Sequence, residues 1–299
     1  NNLKRLLSLI VFSTGMALVS PAQHLIEIQP LFEYPVAPEE LPTMYDKSNY
    51  IVEHFWDSFD LKSKTAVDQN ALNHAFKVYA TAMRFADREK TLNANQKLLN
   101  NLVKNPVLLL QFTKAAEETL YGPRAEFWID EIYLQFLKGV TSNKKIAQNR
   151  RLKYDKQMKV IKETAEGNVA PVFHFKDRNG KDAFYRPMST PTLIIFGDPW
   201  NTDWRLDRLK MESNLNLIQA LDKGKVNILF IYPGDKEGWE NQVSNYSEKW
   251  NVGKGEKLEE IYDLRITPAI YVISSEGKIL EKNVPLSVAV SSLLDKVTN

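Results

Sequence analysis

The sequence predicts an α/β chain in two parts: an all-α helical domain over residues 46–166, then an α/β sandwich with a mixed sheet over residues 167–299. Three observations carry this. The 299 residues suffice for two cores of roughly 150 residues each. From Asp46 to Ala165 glycines are few, and apolar residues recur at spacings of three and four, the period of a helix that buries one face. At Gly167 the texture changes to short β-type runs separated by turns, with helical stretches between them, the alternation expected of a sheet covered by helices.

At the N-terminus, Lys4 and Arg5 precede an apolar run from Leu6 to Val19, followed by small residues at Ser20 and Ala22. That pattern reads as a secretory signal peptide over residues 1–22. The alternative, a membrane anchor, would need about 20 apolar residues, more than this run supplies. Residue 1 is Asn, so the true start is expected upstream. Residues 23–45 carry Pro30, Pro35, Pro38 and Pro42, which forbid regular helix and predict an extended strap over the surface.

Within the helical part, Leu72, Phe76, Tyr79 and Met83 fall on one face, as do Ile129, Ile132, Tyr133, Phe136 and Leu137. Between them lie a segment ending at Asn105-Pro106 and another ending at Gly122-Pro123; five or six helices are expected. The last carries Lys144, Lys145, Arg150, Arg151, Lys153, Lys156, Lys159 and Lys162 beside a narrow seam of Ala147, Tyr154, Met158, Ile161 and Ala165. A basic docking face is one reading; a solvated helix leading into the next domain is the commoner explanation of such a run and the one adopted.

In the second part the strands are expected at Val172–Phe175, Thr192–Phe196, Val226–Tyr232 and Ala269–Ile273, with turns at Asp177–Gly180 and Ser274–Gly277. Asp203 to Leu221 has helical spacing throughout, and Leu286 to Val297 closes the chain as another helix. No internal repeat is present.

Composition excludes several functions. Lys and Arg number 39 against 37 Asp and Glu, so no long-range field draws nucleic acid or an anionic membrane, and no nucleic-acid partner is expected. There is no cysteine, which removes disulfides, thiolate nucleophiles and cysteine metal sites. His24, His54, His74 and His174 are scattered without ligand spacing, so no metal and no cofactor is expected. Neither a glycine-rich phosphate loop nor a Gly-x-Ser-x-Gly elbow occurs. Asp198 and Asp203 are better explained by turn and capping roles than by acid-base work.

One segment resembles a known active site. The strand Thr192-Leu193-Ile194-Ile195-Phe196 runs into Gly197-Asp198-Pro199-Trp200-Asn201-Thr202-Asp203-Trp204. It is similar to the active-site turn of the thioredoxin-like superfamily, in its exported TlpA/ResA or AhpC/TSA type, where a strand ends in a tryptophan followed by Cys-x-x-Cys. Trp200 matches that tryptophan, and Asn201 and Trp204 occupy the two cysteine positions. Ala170-Pro171-Val172-Phe173 with Asp177 and Gly180 resembles the lead-in strand and turn. Ile266-Thr267-Pro268-Ala269-Ile270-Tyr271 with Glu276-Gly277-Lys278-Ile279 resembles the cis-proline strand and closing hairpin. The resemblance spans residues 167–299 and implies a thioredoxin-like domain without thiol chemistry. Separately, Asp46 to Asp60, with His54-Phe55-Trp56-Asp57, is similar to a helical domain of unknown function that precedes thioredoxin-like domains in exported bacterial proteins.

In that family the first cysteine sits at a helix N-terminus, where unpaired N–H groups stabilise the thiolate. Asn201 has no thiol but is a good N-cap, a contribution of about 1 kcal/mol. Asp203 suits the positive end of the dipole. Trp204 is expected to fill space under the helix; the competing reading makes Trp200 and Trp204 an exposed platform. The resemblance implies that Pro268 is cis and presents the backbone of Thr267 to a peptide. No catalytic residue is assigned, and the candidate groove comprises Trp200, Asn201, Thr267 and Pro268.

The function expected is a non-catalytic, exported protein of the periplasm or cell envelope that binds an extended polypeptide or envelope protein, or serves as a scaffold, with no membrane span left after signal cleavage. Fold alone does not fix activity. The alternatives are an auxiliary to thiol-disulfide oxidoreductase or peroxiredoxin-type redox homeostasis, and a small-molecule binder at an interdomain cleft.

Overall fold

The computed structural model describes residues 29–122, 125, 126 and 129–298. The expected signal peptide, His24, the first residues of the strap and Pro123 lie outside the described residues. The chain divides into two compact units, Asn1–Asp155 and Lys156–Asn299.

The first unit is helical: α1 (Met44–His54), α2 (Gln69–Met83), α3 (Arg88–Leu102), α4 (Pro106–Leu120), α5 (Asp130–Thr141) and the start of α6 (Gln148–Glu163). Side chains that prefer the position set most of the starts. Thr43, Asp68, Asp87 and Asn105 each accept a hydrogen bond from an N–H in the first turn of α1, α2, α3 and α4. Pro106 opens α4 where its missing N–H costs nothing. Leu72, Phe76 and Tyr79 of α2 and Tyr133, Phe136 and Leu137 of α5 are fully buried.

The strap is more than a surface cover. Phe32 packs edge-on against Phe55 and Phe59 and tilted against Trp56, and Tyr34 lies 5.2 Å from Phe55. The prolines keep the backbone extended, and the aromatic residues between them attach it to the core. The Tyr34 hydroxyl is pushed up to about 12 by that burial.

The second unit contains a seven-stranded sheet in the order β2-β1-β5-β4-β3-β6-β7. The strands are β1 (Phe173–Asp177), β2 (Asp182–Tyr185), β3 (Thr192–Phe196), β4 (Asn227–Tyr232), β5 (Asn251–Lys254), β6 (Ala269–Ile273) and β7 (Ile279–Lys282). Strands β3, β4 and β5 are parallel; β6 runs antiparallel to β3, and β1 to β5. This is the mixed sheet expected.

Central β3 and β6 are buried along their whole length, and period-two alternation divides their side chains between two cores. Leu193, Ile195, Ile270 and Val272 join Phe230, Trp204 and Leu293 on one face; Ile194, Phe196, Ala269 and Tyr271 join Phe173, Tyr185 and Tyr262 on the other. The first core is covered by α7 (Thr202–Glu212), α8 (Leu215–Asp222), α9 (Trp239–Val243) and α10 (Leu286–Thr298).

Two details differ from expectation. The helical stretch from Asp203 to Leu221 is two helices, because Ser213 ends α7 and the Asn214 side chain caps α8 by accepting from Leu217 N–H. Strands β2 and β5 and helix α9 were not expected from the sequence. Each is only four or five residues long, and β5 contains Gly253, whose missing side chain leaves room for the Phe175 ring and the Lys176 carbonyl.

Candidate functional site

The turn after β3 is shaped by a close approach. A side chain on Gly197 would stand 2.8 Å from the Phe230 ring and 3.7 Å from Pro268 Cβ, so glycine lets the turn lie against both. Asp198 Oδ1 accepts from Trp200 N–H at 2.9 Å and its carbonyl accepts from Asn201 N–H at 3.0 Å. Asp198 is therefore spent on holding the turn. Asn201 is the N-cap of α7, with its side-chain oxygen accepting from Trp204 N–H at 2.9 Å. Asp203 lies in the first turn of that helix.

Trp204, at the second cysteine position, is 1 % exposed. Its indole stacks on Phe230 at 5.0 Å with ring planes 7° apart, and its Nε1–H donates to the Tyr246 hydroxyl at 2.8 Å. Trp204 therefore cannot form part of an exposed platform. The loop carrying Tyr246 is clamped from two sides. Arg208 of α7 places its guanidinium 4.4 Å over the Tyr246 ring and pairs with Glu212, which accepts from Ser247 N–H. Arg178 donates to the carbonyls of Ser247 and Trp250.

Trp200 is half-buried and makes an edge contact with Tyr232 at 5.3 Å, while Lys236 Nζ sits 4.2 Å over its ring. Opposite lies the Thr267–Pro268 peptide, which is cis. Thr267 and Asn201 are exposed, and Pro268 is half-buried. The four candidate residues thus keep accessible surface at least in part, whereas Trp204 and Phe230 are buried.

The chain entering Thr267 is anchored by a buried ionic cluster. Asp263, 2 % exposed, accepts from Arg265 Nε at 2.7 Å and from its Nη2 at 2.6 Å, and Lys282 Nζ lies 2.7 Å away. Burial alone would raise the carboxyl pKa, but the hydrogen bonds from Arg265 and the charges of Lys282 and Arg265 outweigh it and hold the group at about 2. The Asp263 backbone exchanges two hydrogen bonds with the Tyr271 hydroxyl. Phe230, Lys236, Tyr246 and Asp263 were all missed by sequence reasoning; each lies far along the chain from Trp200, and nothing in its own neighbourhood marks it.

Among the described residues, no group of His, Asp and Glu is placed to hold a metal, and no helix is long and apolar enough to cross a membrane. His54 pairs with Asp57, His74 is exposed, and His174 lies against Phe184 across β1 and β2. The site has a capped helix start, a half-buried indole and an exposed Thr267 beside the cis peptide, but no thiol.

A strand ending in a Trp-led turn at a helix N-terminus, opposite a cis-proline loop, defines a thioredoxin-like domain, here redox-inactive because the chain has no cysteine. Residues 13–164 match the model described as "Domain of unknown function (DUF5106)", and the chain belongs to that family. A thioredoxin-like protein from Bacteroides caccae shares the fold with a TM-score of 0.66 at 17% identity, covering 89% of this chain and 99% of its own. A conserved protein of unknown function from Bacteroides fragilis matches at 21% identity over 43% of this chain and 98% of its own, with a TM-score of 0.40. The thioredoxin domain of a thiol-disulfide oxidoreductase from Bacteroides vulgatus matches at 20% identity over 44% and 98%, with a TM-score of 0.39. No curated protein matches the chain.

Proposed function

We propose that the thioredoxin-like unit is a non-catalytic binding module for an extended polypeptide. The observation that carries this reading is the partition of the site. The second cysteine position is filled to the core by Trp204, while Trp200 and Asn201 in the turn after β3 and Thr267 and Pro268 in the loop before β6 keep accessible surface. Exposed Thr267 and Asn201 beside a half-buried indole suit an extended chain, since main-chain hydrogen bonds supply affinity and aromatic surface supplies an anchor in that mode of binding. The reading includes export to the periplasm or cell envelope, supported by the basic and apolar leader over Lys4–Val19.

A photo-crosslinking residue at Asn201 tests it, with Thr267→Arg as the blocking variant, since both positions are exposed and neither change reaches the core. One defined protein adduct that falls several-fold in the Thr267→Arg background supports the groove. No adduct from folded protein, or an adduct indifferent to Thr267→Arg, overturns it.

A further inference from the structure

We propose that the helical unit carries a site for an oxyanion, the phosphate or carboxylate group of a small ligand, in the hollow between the start of α2, the middle of α4 and the first turns of α6. The hollow has a volume of about 370 Å³, and its lining includes Gln69, Gln111, Lys114, Arg150, Lys153 and Tyr154. It is a depression open to solvent, wide enough for a small anion.

Its wall is already committed. Gln69 donates to the Gln111 carbonyl and to Asn73, and the Gln111 carboxamide closes a two-way pair with the Val67 backbone at 2.7 and 3.0 Å. These amides fix the shape and have little capacity left for a ligand. The cations differ. Lys153 is taken by Glu117 at 2.7 Å, but Lys114 and Arg150 have no ion-pair partner among the described residues, so a ligand entering the hollow meets two uncompensated positive charges.

The chemistry of the remaining donors selects the ligand. A guanidinium fork matches a planar carboxylate or two phosphate oxygens, and an ammonium group adds a point charge. Helix α6 begins at Gln148 on the same rim, so the positive end of its dipole adds to the field. The Tyr154 hydroxyl is pushed up to about 12 by burial and by the charge of Glu117, so at neutral pH it donates and does not repel an anion. The basic run on α6 thus acquires a local role for Arg150 that a merely solvated helix would not give it.

Isothermal titration of the full chain with inorganic phosphate, against sodium chloride of equal ionic strength, tests the site, with citrate as the carboxylate arm. The comparison variant is Lys114→Ala combined with Arg150→Ala, both exposed helical positions; a charge-matched control is Lys97→Ala combined with Lys104→Ala. The expected result is saturable binding of phosphate, citrate or both that weakens by at least about tenfold in the first variant and persists in the control. Absence of saturable binding by both anions, equal binding by the Lys114/Arg150 variant, or equal loss in the control would overturn the proposal.

Discussion

At Trp204 one side chain decides what the thioredoxin-like unit can still do. Its indole is sandwiched into the core against Phe230 and hydrogen-bonded to Tyr246, so truncation leaves a large cavity and strands a buried hydroxyl. Trp204→Ala is expected to cost about 3–5 kcal/mol, measured by urea unfolding, whereas Trp204→Phe keeps most of the packing and loses about 1–3 kcal/mol through the unpaired Tyr246 hydroxyl. Asn201→Ala removes only the cap and should cost about 1 kcal/mol. If Trp204→Ala proved no worse than Asn201→Ala, the buried stack would be wrong.

Asp263 is the second decisive residue. Its folded pKa of about 2 lies below the ordinary carboxylate value, so the unfolded chain takes up its proton first and the folded state loses stability as pH falls. The contribution, about 2 kcal/mol, is fully present above about pH 4 and is lost as pH falls to about 2. Urea unfolding between these limits should show a steeper acid loss for the wild type than for Asp263→Asn. That variant is itself expected to be about 3–5 kcal/mol less stable at neutral pH, because it breaks the ion pairs of a carboxylate that is 2 % exposed.

Among the elements, the β3-to-α7 turn shows how little freedom the old redox position retains. Gly197 has no room for a methyl group against Phe230, so Gly197→Ala must push the ring that stacks on Trp204, at a cost of about 1–3 kcal/mol; the near-ultraviolet circular dichroism of the Trp204 stack should change with it. Reinstating the family motif with Asn201→Cys and Trp204→Cys should fold poorly for the same reason, the loss being dominated by the Trp204 cavity. A closing turn such as Ser274–Gly277 was legible because Gly277 adopts a φ of +81°, which its side-chain-bearing neighbours in sequence would resist. Strand β5 was not legible, because it is specified by pairing with β4 and β1 and not by its own residues.

For the whole chain, the absence of cysteine leads to a direct expectation. The purified protein should accelerate dithiothreitol-driven reduction of insulin no more than buffer does, and should release no chromophore from a thiol reagent; any rate above the blank would require a redox group this chain does not contain. The β3 and β6 strands were readable as short continuous apolar runs, and the buried faces of α2 and α5 by their helical period. The aromatic anchoring of the strap by Phe32 and Tyr34 was not, since proline spacing speaks for backbone shape and says nothing of which side chains point inward.

The sequence alone determined the two-part α/β architecture, the loss of thiol chemistry at Asn201 and Trp204, and the cap that replaces it, because composition, periodicity and first-turn hydrogen bonding are local properties. Only the tertiary structure decided that Trp204 is buried against Phe230 and Tyr246, that Lys236 covers Trp200, and that Asp263 anchors the chain before Thr267. Those contacts join residues from separate strands and loops, and which distant side chains meet is settled by the packing of the sheet and its helices, which no local pattern records.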